Sequence, residues 1–274
     1  MAVNSVNTNR QAVFALQYLN QTNSDLGTVQ KRVSTGFRVA DARDDGGAFA
    51  VAQAVRSDVA GLTAVNEQLG GTKGVLQTTF ASLSVMTDTM IQARAVLTRL
   101  ADGAIDSTQR TQYETQYGLL RTQITQFIGD ATYNGRTLLS TVGPSGGNIV
   151  GIRNEDGGAF TIFAENGANL QLSTTTPTDA TSSAAYLNGG FVTVQTAITT
   201  ALNRFGANMQ YIENQITFNS KKNDAMNDGL GALVDADLAK ESSRLQALQT
   251  RQQLGIQTLS LANQGPKVLL SLFR

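Results

Sequence analysis

Three aspartates within five positions come nearest, in type and spacing, to a chemical site: Asp41, Asp44 and Asp45. Carboxylate oxygens at short intervals are the ligands of calcium-binding loops. Such loops alternate their ligands along the chain and end on a glutamate, and this run has neither feature. We therefore interpret residues 41–47 as a solvated linker whose aspartates cap the helix that follows.

The composition removes most routes to catalysis. The 274 residues include no histidine, no cysteine and no tryptophan. Histidine is the commonest general base, and imidazole and thiolate groups are the main ligands of zinc. An enzyme would need a carboxylate pair or a lysine in a pocket, and no spacing in this chain indicates one. We therefore predict that the protein is not an enzyme and has no cofactor and no metal site.

The charge pattern argues against two classes of partner. Lysine plus arginine and aspartate plus glutamate both number 21, so the formal net charge is zero. Nucleic acids and acidic membrane surfaces select clustered basic residues, and the chain has no basic run. No apolar stretch approaches the roughly 20 residues that cross a bilayer. We predict no nucleic acid and no membrane among the partners.

Near both ends of the chain, two interleaved rows of mainly apolar residues each repeat every seven positions. The first series consists of Ala12, Ala15, Leu19, Thr22, Leu26, Val29 and Val33. It predicts a helix over about 5–35 that ends at Gly36. The last series consists of Leu238, Leu245, Leu248, Leu259 and Ala262. It predicts a helix that begins near residues 235–237, where aspartates suit the N-cap, and that Gly265-Pro266 interrupts.

Similar rows predict long helices in the middle of the chain, over about 48–100, 107–129 and 190–232. Gly70, Gly71 and Gly74 lie inside the first of these helices. They indicate a kink or the close approach of another backbone.

Residues 130–190 differ in kind, being rich in glycine, threonine, serine and asparagine. Residues 149–153 and 160–163 predict a β-hairpin, with Glu155-Asp156 as turn residues. Asn166-Gly167 is interpreted as a turn into a further strand over 169–172, and residues 173–183 as an exposed polar loop.

These elements predict a mainly α fold: a long antiparallel helical bundle or coiled coil with a small β-hairpin region and paired N- and C-terminal helices. A narrow apolar seam needs a partner helix, and short polar helices are marginal alone. The apolar tail, with Leu269, Leu270 and Phe273, has no evident cover within one subunit. We therefore expect the termini to pack against other copies, and head-to-tail packing without closure gives a helical polymer.

Motifs at both ends of the chain resemble those of bacterial flagellin. Residues 6–9 (VNTN), 32–39 (RVSTGFRV) and 41–45 (DARDD) resemble the family's INTN, RLSSGLRI and SAKDD motifs. Residues 133–139 (YNGRTLL) resemble FNGxxLL. Residues 235–241 (DADLAKE) and 262–272 (ANQGPKVLLSL) resemble DADxAxE and ANQxPQxVLSLL.

The resemblance implies a domain layout. Residues 1–40 and 235–274 would form an inner coiled-coil domain, and residues 41–47 a spoke that includes Asp41, Arg43, Asp44 and Asp45. Residues 48–234 would form a helical bundle with a β region at about 130–190. The inner residues expected to serve self-assembly are Leu19, Leu26, Val33, Leu238, Leu245, Leu248, Leu259, Leu269, Leu270 and Phe273.

The resemblance also implies a function. Such a protein is a structural subunit that leaves the cell by the flagellar type III route, without a cleaved signal, and polymerises through its terminal helices into the extracellular filament that serves motility. Its partners would be other copies of itself and the flagellar export chaperone, cap and junction proteins. The alternative is a hook–filament junction protein of the same export class.

Overall fold

The computed structural model of the chain describes residues 8–141 and 145–272, with side chains as far as Gln264. Most of this part is helical, as the seven-residue rows predict. The helices are α1 (Arg10–Thr35), α2 (Gly46–Leu100), α3 (Ser107–Asp130), α4 (Ala180–Asn188), α5 (Gly190–Val234) and α6 (Leu238–Leu272). Strands β1 (Ile149–Ile152) and β2 (Ala159–Ile162) pair antiparallel, and a 3-10 helix spans Gly167–Leu170.

Two residues that the sequence indicates as helix caps have that role in the structure. The Asp237 carboxylate accepts hydrogen bonds from the backbone N–H groups of Ala239 and Lys240, at the start of α6. At the end of α1, Gly36 has φ 75° and its N–H donates to the Arg32 carbonyl. Glycine suits this left-handed position because it has no Cβ.

The chain divides into two compact units. Unit 1 is formed by residues up to Ser57 and from Ala225 onward, and unit 2 by Asp58–Asp224. Unit 1 contains α1 and α6, and unit 2 contains α3, α4 and the β-hairpin.

Unit 2 encloses the main hydrophobic core. The predicted row of α2 is fully buried at its centre: Leu62, Leu69, Leu76, Leu83, Met90 and Leu97. Ser82 Oγ on α2 donates to the Phe127 carbonyl on α3, and Lys73 on α2 lies 2.9 Å from Glu213 on α5. Arg110 near the start of α3 donates to the Leu100 carbonyl at the end of α2, and Asn223 late in α5 donates to Thr63 Oγ1 in the first half of α2. In each pair the second contact lies further along one helix and further back along the other, so both helices run antiparallel to α2.

The β-hairpin is fastened to α5 through its turn. Glu155 forms an ion pair with Lys222, so this glutamate does more than make a turn. Asn219 follows Ile198, Phe205 and Ile212 at the same seven-residue spacing on α5, and is the polar member of that apolar row. It is fully buried and donates to the Arg153 carbonyl over 3.0 Å. Gln215 Nε2 donates to the same carbonyl over 3.0 Å. Two polar side chains of α5 thus satisfy this carbonyl of the hairpin.

Two predictions for the segment after the hairpin are wrong. Residues 169–172 do not form a strand, because the Asn166 side chain accepts from the Ala168 N–H and starts the 3-10 helix. Residues 173–183 are not all loop, because α4 begins at Ala180. Asp179 and Ser182 cap that helix reciprocally, each side chain bonding the other's backbone. This arrangement is a capping box.

Two predictions about helix breaks are also corrected. At Gly74 the neighbour is a ring, not a backbone: a Cβ there would lie 2.7 Å from Tyr133 Cζ, while Gly70 and Gly71 face open space. The predicted interruption at Gly265-Pro266 is wrong, because α6 continues to Leu272. A proline removes one backbone hydrogen bond, and the Ala262 carbonyl accepts instead from Asn9 Nδ2 over 2.8 Å.

Candidate assembly interface

Helices α1 and α6 pack side by side in opposite directions within unit 1. Three contacts set their register: Arg32–Glu241, Asn23–Gln252 and Leu19–Gly255. The partner on α6 moves towards the C-terminus as α1 is followed towards its N-terminus, so the pair is antiparallel. The prediction that the terminal helices pair is confirmed.

The seam of this pair is narrow and follows the seven-residue spacing. Its buried centre consists of Leu26, Val29 and Leu248, with Val33 and Leu245 packed against it. Leu19 and Leu259 are half-buried. At Gly255 the helices come so close that an added Cβ would lie 3.2 Å from Leu19 Cδ1. The contact is therefore a narrow apolar seam with the heptad spacing of a coiled coil.

One ion pair crosses the seam beside the linkers. Arg32 Nη1 lies 3.2 Å from Glu241 Oε1, and the Glu241 side chain is largely buried. Within the described part of the chain, Arg32 Nε and Glu241 Oε2 have no hydrogen-bond partner. Removing one member of such a pair would leave a charge buried without compensation, which is strongly destabilising.

The predicted spoke residues form a charged cluster around Lys31. Lys31 Nζ lies 2.9 Å from Asp41 Oδ2 and 2.7 Å from Asp44 Oδ2. Arg43 Nη2 lies 3.1 Å from Asp41, although its side chain is almost fully exposed. Asp45 Oδ1 accepts from the Ala48 N–H over 3.0 Å and so caps α2. The aspartates act as caps and ion-pair partners, which is the linker role that their spacing indicates.

These contacts shift the acidity of the cluster. Hydrogen bonding to Lys31, followed by that to Arg43, holds the pKa of the Asp41 carboxyl well below its usual range. Lys31 and the Ala40 N–H lower the pKa of Asp44. In return, Asp44 and Asp41 raise the pKa of the Lys31 ammonium. Opposite charges in contact favour the charged forms of both partners.

Backbone hydrogen bonds join the α1–α2 linker to the α5–α6 linker, and the sequence analysis did not anticipate them. The Ala236 N–H donates to the Gly36 carbonyl over 2.9 Å, and the Arg38 N–H donates to Val234 over 2.7 Å. Beside them, Val39 and Val234 are buried with Ala52 in a small apolar cluster. The sequence offers one signal for this contact between the linkers: Val39 is an apolar residue just after α1, and Val234 is one at the end of α5.

Apolar side chains also lie outside the seam. This outer apolar set consists of Val13, Phe14, Leu16 and Tyr18 on α1 and Leu254, Ile256 and Leu261 on α6, all exposed. Phe14 and Tyr18 are four positions apart, and Leu254 and Leu261 seven, so each pair shares one flank of its helix. Grouped exposed apolar residues mark interaction sites. Sequence reasoning missed these residues because they fall off the seven-residue rows.

The remaining predicted residues divide into two groups. Leu238 is 49 % exposed at the start of α6 and lies outside the buried centre of the seam. The side chains of Leu269 and Leu270 and all of Phe273 lie outside the part of the chain that the structure describes.

No helix over 8–141 and 145–272 is long and apolar enough to cross a membrane. Over the same residues, acidic side chains nowhere gather in a group that could hold a metal ion.

Comparison with family models matches both ends of the chain. Residues 6–143 match the bacterial flagellin N-terminal helical region, and residues 192–273 match the C-terminal helical region. Flagellin FljK of Caulobacter vibrioides is 38% identical over 279 residues, with 100% of both chains covered. A flagellin of Brucella melitensis is 33% identical, with 98% of this chain and 99% of that protein covered.

Two solved structures share the fold. Bacillus cereus flagellin matches 56% of this chain and 88% of its own, with TM-score 0.52 and 20% identity. A putative flagellar hook-associated protein from Vibrio parahaemolyticus matches 70% of this chain and 100% of its own, with TM-score 0.58 and 12% identity. At these identities the likeness concerns the fold alone and does not separate the two kinds of protein.

The family models and the full-length relatives do separate flagellins from hook-associated proteins. They favour a filament subunit over the junction-protein alternative. The paired terminal helices and the bundle with its single described hairpin agree with that assignment. The chain therefore belongs to the bacterial flagellin family, the structural subunits of the flagellar filament.

Proposed function

We propose that unit 1 is the assembly module of this filament subunit, and that its outer apolar set is buried against neighbouring copies. The observation that carries the proposal is the exposure of seven apolar side chains on α1 and α6, beyond the seam that joins those helices. The seam residues Leu19, Leu26, Val33, Leu245, Leu248 and Leu259 then have a different task, which is to pair α1 with α6 inside one subunit.

The proposed layout follows the predicted domains. Residues 1–40 and 235–274 form the inner coiled coil, residues 41–47 the spoke, and residues 48–234 the outer bundle. Leu238, Leu269, Leu270 and Phe273 are assigned to contacts between copies. The subunit is exported to the cell exterior and meets the export chaperone, the cap and the junction proteins on its way into the filament.

Burial of apolar side chains would stabilise the contact between copies. Completing the burial of one leucine side chain contributes about 1.5–3 kcal/mol. Each subunit of a helical polymer presents this surface to its neighbours, so small gains add along the filament.

The test compares two leucines of similar exposure. Leu261 on α6 is 69% exposed, and Leu119 on α3 of unit 2 is 64% exposed. We expect Leu261→Gln to raise the critical concentration for elongation from filament seeds about tenfold or more, since roughly 1.4 kcal/mol is a factor of ten. Leu119→Gln is the matched control and should change it less than about threefold.

Sedimentation of seeded filaments measures both variants. If Leu261→Gln elongates like the parent, the outer apolar set is not buried on assembly and the proposal fails. If both variants lose elongation equally, unit 2 carries as much of the contact as unit 1.

A further inference from the structure

Pro266 lies within α6, and a helix with an internal proline has a carbonyl without a partner. In an α-helix the N–H of residue 266 would donate to the carbonyl of residue 262. Proline has no N–H, and its ring crowds that same carbonyl, so such a position usually kinks or ends a helix. Yet α6 extends to Leu272.

The missing donor is supplied from the other end of the chain. Asn9 Nδ2 donates to the Ala262 carbonyl oxygen over 2.8 Å. The same amide uses its oxygen to accept from the Ala12 N–H over 3.0 Å and so caps α1. Asn9 and Ala262 are both half-buried between the two helices. One side chain therefore starts α1 and satisfies the carbonyl that Pro266 leaves open.

We propose that Asn9 is a positioning residue of filament assembly, which fixes the register of α1 against α6 and keeps the C-terminal helix continuous past Pro266. The inference rests on the proposed function of unit 1. The carbonyl of Ala262 is the one that Pro266 frees, and a shift of one helix by a heptad would move Asn9 away from it. A half-buried carbonyl without a donor is costly, so the contact penalises a register shifted by a heptad.

The chemistry of asparagine suits this task. Its amide carries a donor and an acceptor on one rigid plane. Aspartate would offer two acceptors, and serine, although a good N-cap, is too short to reach a second group as well. At the other end of the pair, Arg32 and Glu241 join the same two helices, so the register is fixed at both ends.

The experiment is a double-mutant cycle of Asn9→Ser and Pro266→Ala in the full-length chain. Asn9→Ser keeps the cap of α1 and removes the donor to Ala262. Pro266→Ala restores the backbone N–H, so that the Ala262 carbonyl no longer needs Asn9. The critical concentration for elongation from wild-type seeds is measured for the parent, both single variants and the double variant.

We expect Asn9→Ser to raise the critical concentration about fivefold to tenfold in the parent chain, as for one lost hydrogen bond that is partly buried. In the Pro266→Ala background the same change should have less than about a twofold effect. If Asn9→Ser does not elongate at all, elongation by the double variant supports the inference.

An equal loss in both backgrounds, or no loss in either, overturns it, because Asn9 would then act through the cap of α1 or not at all. This failure is distinct from failure of the proposed function. The cycle compares chains with an intact outer apolar set, whereas the Leu261→Gln test leaves Asn9 in place.

Discussion

At the scale of single residues, Lys31 shows how charge holds the linker. Its ammonium lowers the pKa of Asp41 and Asp44 in the folded chain. A carboxyl group whose folded-state pKa is lowered stabilises the fold fully above its unfolded pKa, about 3.9. That contribution is lost as the pH falls below this value towards the folded-state pKa.

We therefore expect Lys31→Met to flatten the acid dependence of stability. The thermal midpoint of the parent chain should fall more steeply between about pH 5 and pH 2 than that of the variant, because the variant has less carboxylate stabilisation to lose. Circular dichroism melts at several pH values measure the difference. Lys240→Met, at an exposed position on α6, is the control and should keep the parent slope. A parent-like slope in Lys31→Met would contradict the assignment.

Residue spacing predicted the seams well, because a seven-residue period depends on local geometry alone. The rows of α1 and α2 lie where the sequence placed them, down to the polar Thr22. The predicted interruption of α6 at Pro266 was wrong because the Ala262 carbonyl that this proline frees is bound by Asn9, 253 positions away along the chain. The outer apolar set was missed because a row search discards apolar residues that do not fit the period.

At the scale of elements, the hairpin depends on the buried polar side chain of Asn219. Its amide donates to the Arg153 carbonyl and accepts from Gln215 Nε2. A substitution by leucine keeps the volume but removes one of the two donors to that carbonyl, and Gln215 remains as the other. Losing one such hydrogen bond costs about 0.5–1.5 kcal/mol.

We expect Asn219→Leu to lower the free energy of unfolding by roughly 0.5–1.5 kcal/mol and to speed amide hydrogen exchange in the hairpin. Asn203→Leu, at an exposed position of the same helix, should change both quantities little. Denaturant titration and hydrogen exchange of the full chain supply the readouts. Unchanged exchange in β1 and β2 of Asn219→Leu would mean that Asn219 does not anchor the hairpin.

The sequence predicted the hairpin strands but not their anchor. In the sequence Asn219 is only a polar exception in an apolar row, because the Arg153 carbonyl that it binds is far away along the chain. The 3-10 helix at Gly167–Leu170 was mistaken for a strand because Asn166-Gly167 suits a hairpin turn equally well. Local propensity leaves such choices open, and tertiary burial of Leu170 decides this one.

At the scale of the whole molecule, the main core lies entirely within unit 2. We expect a chain of residues 41–234 to retain a cooperative thermal transition, because that core remains complete, yet to fail to elongate filament seeds. Melting curves and seeded sedimentation test the two halves of this prediction. Growth of filaments by the trimmed chain would show that unit 2 assembles without the paired terminal helices.

Asn9 and Ala262 are 253 positions apart along the chain, whereas Ser82 and Phe127 of unit 2 are 45 positions apart. The entropy lost on closing a loop grows with its length, and long-range contacts form late when folding proceeds through local ones. Unit 1 is therefore expected to form last, after the chain between its helices has become compact. A nascent or partly delivered subunit would then remain unable to join a growing filament until its final helix arrives, which guards against premature polymerisation.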